Sequence, residues 1–197
     1  MDIKIDENPY RLFNLWMDEA KDLEINDPEA MAFSTVSNLG FPSVRMVLLR
    51  NFDQRGFVFF TNYNSRKSKE LHENKNGALC IHWKSIRRQV RAVGIVEKVS
   101  KEESDNYYNS RPLGSRIGAW ASKQSENLSS RKELSDRVVA YSKKFFNNEP
   151  VRPDFWGGFR LVPFEMEFWS DGKDRLHDRF LFKLSKNGNW KINRLYP

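Results

Sequence analysis

The chain has 197 residues, 39% of them hydrophobic and 14% aromatic, which fits one folded domain and excludes a disordered protein. No stretch approaches the roughly eighteen apolar residues of a membrane helix. The first residues lack the apolar core of a signal peptide, so we expect a cytoplasmic protein with no membrane partner. The 33 Lys and Arg residues exceed the 26 Asp and Glu residues, for a net charge of +7. This excess favours an anionic partner, either nucleic acid or a phosphorylated small molecule.

Cysteine and histidine are too sparse for a disulfide framework or a zinc site. Cys80 is the only cysteine and lies in an apolar run, so we expect a small buried side chain. The histidines His72, His82 and His177 show none of the short paired spacings of zinc ligands. The sequence therefore predicts no metal.

The first half of the chain predicts one helix followed by strands. Segment 1–27 contains the helix, where Asn8 suits the N-cap and Pro9 the first helical turn. Segment 30–99 has the alternating and β-branched patterns of the main barrel strands. The predicted strands cover residues 31–37, 43–52, 57–61, 78–84 and 89–99, and a short helix capped by Ser65 runs to Glu73 between the third and the fourth.

The second half predicts helices and then strands again. Segment 101–146 is predicted to contain a helix over 101–110, an irregular polar stretch over 115–127 and an amphipathic helix over 129–146. Segment 159–197 is predicted to form strands over 159–169, 175–184 and 190–195. These strands are joined mostly by tight turns and have helices outside them, which predicts a single α+β domain over 1–197 built on an antiparallel barrel.

Two groups of cations stand where a plain fold would place other residues. Arg66 and Lys67 follow Ser65 at the start of a helix, where the helix dipole disfavours positive charge and the free N–H groups favour a phosphate. An ordinary solvated basic turn is the alternative. Arg45 and Arg50 flank an apolar strand, and alternation places them on opposite faces. Their placement is explained by a bulge in the strand, by two different ligands, or by exposure of the two strand ends to solvent.

Two further groups combine cations with aromatic or polar neighbours. Tyr107 and Arg111 are one helical turn apart and can reach the same anion, although an arginine is also favourable at a helix C-terminus. Arg175, His177 and Arg179 share one face if residues 175–184 are a strand. Cationic side chains in a row repel each other, so we expect an anionic or electron-rich partner, or solvent, to cover them.

Taken together, these segments resemble the pyridoxine/pyridoxamine 5′-phosphate oxidases over residues 8–197. The first strings that carry the resemblance are Arg45-Met46-Val47-Leu48-Leu49, Phe59-Phe60-Thr61-Asn62, Ser65-Arg66-Lys67, Arg88-Gln89-Val90 and Ser110-Arg111-Pro112. The later strings are Gly118-Ala119-Trp120, Gln124-Ser125, Phe155-Trp156-Gly157-Gly158, Glu167-Phe168-Trp169, Arg175-Leu176-His177-Asp178-Arg179 and Arg194-Leu195-Tyr196-Pro197.

The resemblance implies an α+β fold, a split antiparallel β-barrel with peripheral helices, that forms a homodimer with FMN at the interface. It implies oxidation of pyridoxine or pyridoxamine 5′-phosphate by O₂ to pyridoxal 5′-phosphate, with release of hydrogen peroxide and, from the amine, ammonia. The positive charge would then serve phosphate groups and not nucleic acid.

The resemblance also implies roles for individual residues. The implied FMN contacts are Arg45, Met46, Val47, Leu48, Leu49, Arg50, Phe60, Thr61, Arg66, Lys67, Gln89, Gln124, Ser125, Trp169 and Arg179. The implied substrate contacts are Arg50, Tyr107, Arg111, Ser115, Arg175, Leu176 and His177. Arg175 and His177 would be the catalytic pair at the reacting end of the substrate, and we expect Leu176 to pack inward between them.

Three features depart from the family pattern. Arg50 stands where lysine is usual, so a guanidinium fork replaces a point charge. Phe60 stands where tyrosine is common, which removes one hydroxyl near the flavin. The sequence before Asn8 is short and lacks the segment that covers the site in longer relatives, which bears on closure of the site.

Three other functions remain open from the sequence. A split-barrel FMN protein with another substrate would share the flavin residues but not Arg111, Ser115, Arg175 and His177. A binding protein for FMN or the vitamer would have little turnover. A basic nucleic-acid-binding barrel would expose aromatic residues on its strands.

Overall fold

The structure is a computed structural model that describes residues 6–197. The prediction that the chain starts without a signal-peptide core falls partly on residues 1–5, which lie outside the described residues. The five helices of the described part are α1 (Pro9–Leu23), α2 (Arg66–Glu73), α3 (Lys101–Ser110), α4 (Leu113–Ala121) and α5 (Arg131–Lys144). No helix within residues 6–197 is long and apolar enough to cross a membrane.

Nine strands of the described chain form one sheet in which neighbouring strands pair antiparallel. They are β1 (Ala30–Val36), β2 (Pro42–Leu48), β3 (Asn51–Asp53), β4 (Gly56–Asn62), β5 (Asn76–Trp83), β6 (Arg88–Lys98), β7 (Trp156–Ser170), β8 (Asp178–Leu184) and β9 (Trp190–Arg194). Their order is β2-β1-β5-β6-β7-β4-β3, with β8 on β7 and β9 on β8. The predicted α+β class with an antiparallel barrel-like sheet is confirmed.

Helix α1 covers the core of this sheet. The Asn8 side chain accepts a hydrogen bond from the Tyr10 backbone N–H at 2.9 Å and so caps the helix. Its apolar face packs into the sheet: Phe13 is fully buried, and the Trp16 and Phe168 rings meet edge-on at 5.2 Å. This packing anchors the sheet whose outer elements carry the polar side chains discussed below.

The predicted strand over 43–52 is wrong, because the chain breaks it after Leu48. Leu49 turns into the core and is only 4% exposed, and β3 begins at Asn51. A continuous apolar run hides such a break, since the buried Leu49 looks like any other strand residue. The break divides one of the eight predicted strands into β2 and the short β3, which gives the nine strands of the described chain.

Two other predicted elements are also wrong. The stretch over 115–127 is not irregular at its start, because α4 occupies Leu113–Ala121 and buries Ile117, Ala119 and Ala121. Its glycines and polar residues concealed that apolar face. The strand predicted over 175–184 begins only at Asp178, because the backbone at Asp174 and Arg175 has positive φ angles of 56° and 64°.

Candidate active site

A pocket of about 990 Å³ opens beside the β2 and β4 strands, under helices α2, α3 and α4. Most of the predicted site residues line this pocket. They are Arg45, Met46, Val47, Leu48, Arg50, Phe60, Thr61, Arg66, Lys67, Tyr107, Arg111, Ser115, Gln124 and Ser125. The break after Leu48 lets Arg45 and Arg50 reach one pocket. Of the three explanations that the sequence left open for these two arginines, the structure therefore shows the irregular strand.

Lys67 is a buried cation in the first turn of α2. Its Nζ donates to Thr61 Oγ1 at 3.0 Å, Ser65 Oγ at 3.1 Å and Gln124 Oε1 at 3.3 Å. These acceptors are all neutral, and no carboxylate within the described residues forms an ion pair with Lys67. Burial, assisted by the charge of Arg45, lowers the pKa of Lys67 to about 8. A buried ammonium with neutral partners favours an anionic ligand.

Ser65 precedes α2, but its side chain does not make the predicted capping hydrogen bond. Its hydroxyl lies 3.0 Å from Ser68 Oγ and accepts from Lys67 instead. The first backbone N–H groups of the helix therefore lack this side-chain cap, which suits an anion beside Arg66 and Lys67.

Arg45 and Arg66 meet at one buried carboxylate, that of Glu70. Burial alone would raise the pKa of Glu70, but hydrogen bonds from Ser43, Thr35 and Arg66 outweigh it and lower the pKa to about 2. Glu70 is therefore a carboxylate at neutral pH, and it lies behind the pocket wall, since it is not one of the lining residues.

A second cationic part of the pocket surrounds Arg111. Its guanidinium lies 4.7 Å from the centre of the Trp156 ring, and Trp156 stacks with Phe60 and Tyr107 at nearly parallel ring planes. Arg111 Nη1 is buried and has no hydrogen-bond partner within residues 6–197. Burial, assisted by Arg50, lowers the pKa of Arg111. An arginine with an orphaned buried N–H is ready to bind an oxyanion.

The other predicted site residues form a separate cluster at the far end of β7. Gln89 on β6 pairs with Trp169 on β7, and Trp169 pairs with Arg179 on β8. Arg179 donates to Glu167 at 2.9 and 3.2 Å, and the His177 ring lies 4.7 Å from the Trp169 ring. Gln89, Trp169, Arg175, Leu176, His177 and Arg179 do not line the large pocket.

The two clusters are far apart along one strand. Thr61, which lines the pocket, pairs with Gly157 near the start of β7, whereas Trp169 lies near its end. From 157 to 169 the strand advances by about 40 Å at the usual rise. One protomer therefore brings together the pocket residues but does not bring the second cluster to them.

Arg175 and His177 are not held on a strand face, contrary to the prediction. They belong to a tight turn in which a Cβ at Gly172 would lie 2.0 Å from the Leu176 carbonyl oxygen. The Gly172 N–H donates to His177 Nδ1 at 3.2 Å, and Asp171 Oδ1 lies 3.3 Å from the same nitrogen. Leu176 is 71% exposed, so the expectation that it packs inward is wrong, because the turn replaces the strand alternation.

Two family models together match most of the chain. Residues 17–144 match the model described as pyridoxamine 5′-phosphate oxidase, and residues 156–197 match the pyridoxine 5′-phosphate oxidase C-terminal dimerisation region. The chain belongs to the pyridoxamine 5′-phosphate oxidase family. Apart from Gln89, the residues of the second cluster lie between Trp169 and Arg179, inside the segment that matches the dimerisation region of this family.

Curated relatives agree with the family models over nearly the full length. A pyridoxine/pyridoxamine 5′-phosphate oxidase of Chelativorans sp. is 53% identical, covering 96% of this chain and 90% of the relative. The protein of the same name from Allorhizobium ampelinum is 52% identical, covering 100% of this chain and 96% of the relative.

Solved structures support the same fold. The chain is similar to PhzG from Burkholderia lata, crystallised with tetrahydrophenazine-1-carboxylic acid, with a TM-score of 0.92, 28% identity and coverage of 98% and 95% of the two chains. A pyridoxamine 5′-phosphate oxidase-related, FMN binding protein from Nostoc punctiforme has a TM-score of 0.77 at 14% identity, with coverage of 96% and 98%. The second likeness concerns the fold alone.

Sequence reasoning assigned no site role to two residues that shape this family pocket. Trp156 lines the pocket and stacks against Arg111. In the sequence it contributed to the family resemblance but received no role in binding. Glu70 was missed altogether, although its position four residues after Arg66 on a helix was a usable signal. The side chain of Leu49, for which the resemblance implied an FMN contact, lies in the core and does not line the pocket.

Proposed function

We propose that this chain is an FMN-dependent oxidase that converts pyridoxine 5′-phosphate and pyridoxamine 5′-phosphate into pyridoxal 5′-phosphate. O₂ is the electron acceptor, hydrogen peroxide is released, and the amine substrate also yields ammonia. The observation that carries the proposal is a single pocket with two cations that lack acidic partners, Lys67 and Arg111. FMN and the vitamer each bring one phosphate group, so two anion sites in one pocket match the pair.

The residues around Lys67 fit the phosphate of FMN. Arg45, Arg66 and Lys67 supply positive charge, and the start of α2 supplies backbone N–H groups. Thr61 and Gln124, joined by a hydrogen bond of 2.9 Å, supply neutral polar groups beside them. Bound FMN would supply the two-electron redox chemistry between the substrate and O₂, with the two electrons and two protons from the substrate ending in hydrogen peroxide. The protein binds and orients both molecules.

The residues around Arg111 fit the phosphate of the substrate. Arg50, Tyr107, Arg111 and Ser115 all line the same pocket as the flavin residues. The cation–π contact with Trp156 holds the Arg111 guanidinium in place before any ligand arrives. We infer that this group selects phosphorylated over unphosphorylated vitamers.

We further infer that each site is completed by a second copy of the chain. The cluster of Gln89, Trp169, Arg175, His177 and Arg179 is about 40 Å along β7 from the pocket, and most of it lies in the segment that matches the dimerisation region. A two-fold dimer with isologous contacts would bring the cluster of each protomer to the pocket of the other. Exposed apolar residues on β2, Val44, Met46 and Leu48, supply surface for such an interface.

The turn that carries Arg175 and His177 suits a positioning role toward the substrate. Arg175 is exposed and its backbone is held at positive φ. Because the Gly172 N–H occupies Nδ1 of His177, Nε2 is the ring nitrogen left to hydrogen-bond a substrate. We propose that these two side chains hold the reacting end of the vitamer, which places its C4′ hydrogen for transfer.

The experiment that tests this function is anaerobic mixing of the purified yellow protein with candidate substrates. We expect pyridoxine 5′-phosphate to bleach the flavin absorbance and O₂ to restore it with formation of hydrogen peroxide. The likeness to PhzG supplies the comparison substrate, a partly reduced phenazine carboxylic acid. Bleaching by that acid and not by the vitamer would assign the chain to another substrate within the same fold.

A further inference from the structure

A buried negative charge lies behind the pocket wall that is expected to bind a phosphate. Glu70 lies on α2, one helical turn after Arg66, and is only 6% exposed. A buried carboxylate near a phosphate site opposes binding by charge repulsion, so its presence requires a compensating effect on the site. The contacts of Glu70 with the neighbouring arginines indicate that effect.

Both carboxylate oxygens of Glu70 are used. Oε1 accepts from Arg66 Nε at 2.9 Å. Oε2 accepts from Ser43 Oγ at 2.6 Å and from the Thr35 hydroxyl, and lies 3.4 Å from Arg45 Nη2. The carboxylate therefore connects one arginine from β2 with one from α2.

Arg45 is fixed on several sides by the same network. Its Nη1 donates to Thr35 Oγ1 at 2.6 Å, and its Nη2 donates to Ser43 Oγ at 2.5 Å. Both hydroxyls also bond to Glu70. Glu70 itself does not line the pocket, whereas Arg45 and Arg66 do. Its contact with a bound phosphate is therefore indirect, through these two guanidinium groups.

The charges balance those of a phosphate monoester. Arg45, Arg66 and Lys67 bring three positive charges and Glu70 removes one, which leaves a net charge of two. A phosphate monoester carries about −1.5 to −2 at neutral pH. The guanidinium groups bind phosphate through directed, paired N–H donors, so their orientation matters as well as their charge.

We propose that Glu70 is a positioning residue for the flavin phosphate, which fixes the guanidinium groups of Arg45 and Arg66 without contacting FMN. This proposal rests on the proposed function. A positioning role predicts weaker binding of FMN but not of riboflavin, whereas a merely structural role predicts the same change for both. Riboflavin has the same ring as FMN but no phosphate, so its binding should not depend on how these arginines are oriented.

The test is titration of the flavin-free protein with FMN and with riboflavin, followed by quenching of flavin fluorescence. The Glu70→Gln variant keeps the size of the side chain and one acceptor oxygen, and it loses the charge that holds Arg66. We expect its FMN dissociation constant to rise at least about tenfold, since charge-assisted hydrogen bonds are lost, while riboflavin binding changes less than about twofold. Glu73→Gln, an exposed glutamate on the same helix, is the matched control and should match wild type.

A second variant separates position from charge. Glu70→Asp keeps the negative charge but shortens the side chain by one methylene, so it cannot hold both arginines in the same place. We expect the same FMN-specific weakening. FMN binding at or above wild-type strength in both variants would overturn the proposal, and so would equal weakening of FMN and riboflavin. Wild-type protein that binds neither flavin would instead refute the proposed function, and with it this role.

Discussion

Lys67 Nζ lies 3.0 Å from Thr61 Oγ1, in a buried position where its other partners are also neutral oxygens. This contact places an ammonium group in the wall of the pocket with nothing acidic from residues 6–197 to balance it. We propose that the phosphate of the bound ligand balances this positive charge. Variants of Lys67 and of the second cation, Arg111, should therefore change ligand binding.

Replacing Lys67 and Arg111 separates the two anion sites. We expect Lys67→Ala to weaken FMN binding about 10- to 150-fold, because a charge-assisted hydrogen bond is worth about 1.5–3 kcal/mol. We expect Arg111→Ala to leave the protein yellow and to raise the Michaelis constant for the phosphorylated vitamer. Flavin content after gel filtration and steady-state kinetics measure these effects. Loss of flavin in Arg111→Ala with retention in Lys67→Ala would reverse the two assignments.

The affinity for FMN should depend on pH through Lys67. The pKa of Lys67 in the flavin-free protein is about 8, below its ordinary value of 10.5, because the group is buried. We therefore expect FMN binding to weaken above pH 8, by up to about tenfold per pH unit, as the free protein loses the proton. Titrations between pH 7 and 9.5 measure this, and Lys67→Met should flatten the profile. A wild-type profile that is flat over that range would contradict the assigned role.

The same shift affects the stability of the flavin-free protein with the opposite sign. The unfolded chain holds the Lys67 proton more tightly than the folded chain, so between pH 8 and 10.5 the unfolded state binds more protons. This group therefore makes the free energy of unfolding rise with pH in that window, and the gain is lost progressively as the pH falls from 10.5 to 8. Urea denaturation of wild type and Lys67→Met at pH 7.5 and 9.5 compares the two slopes.

FMN should raise the melting temperature of the folded protein. At about 100 times its dissociation constant, a ligand that binds only the folded state adds about 2.7 kcal/mol. For a domain of this length that corresponds to about 5–10 °C. Differential scanning calorimetry of flavin-free protein with and without FMN measures the shift, with riboflavin as a comparison that lacks the phosphate. An unchanged melting temperature in verified flavin-free protein would speak against the site.

The positions of the strands and cations along the chain were largely predictable from the sequence, but the distances between the site residues in space were not. The apolar run that begins at Phe57 and the cations Arg66 and Lys67 are local signals, and the structure places that run on a buried strand and those cations at the start of α2, as expected. The turn at Arg175 depends on positive φ angles that a charged residue does not reveal in the sequence. The break at Leu49 places a buried apolar residue between two strands, and the sequence pattern does not distinguish it from a strand residue. The separation of Thr61 from Trp169 depends on the full length of β7, which the sequence pattern made shorter than it is.

The role that we propose for Arg175 and His177 predicts a defect in chemistry and not in folding. Arg175 and His177 lie on an exposed turn outside the core, so Arg175→Ala and His177→Ala should keep both flavin and dimer. We expect each to slow anaerobic flavin reduction by saturating pyridoxine 5′-phosphate about 100-fold, the usual effect of misplacing a substrate by about 1 Å. Stopped-flow bleaching measures the rate. Wild-type rates in both variants would show that this turn does not contribute to the reaction.

In the proposed dimer, the pocket of one protomer works with the Arg175 cluster of the other. This arrangement is tested by mixing the Lys67→Ala and Arg175→Ala variants, dissociating them and allowing them to reassociate. In a mixed dimer with shared sites, one site carries both substitutions and the other carries neither. Random reassociation should then restore about one quarter of wild-type activity, since half of the dimers are mixed and each has one intact site. Activity that stays at the level of the separate variants, in a sample where mixed dimers are shown to form, would contradict the account.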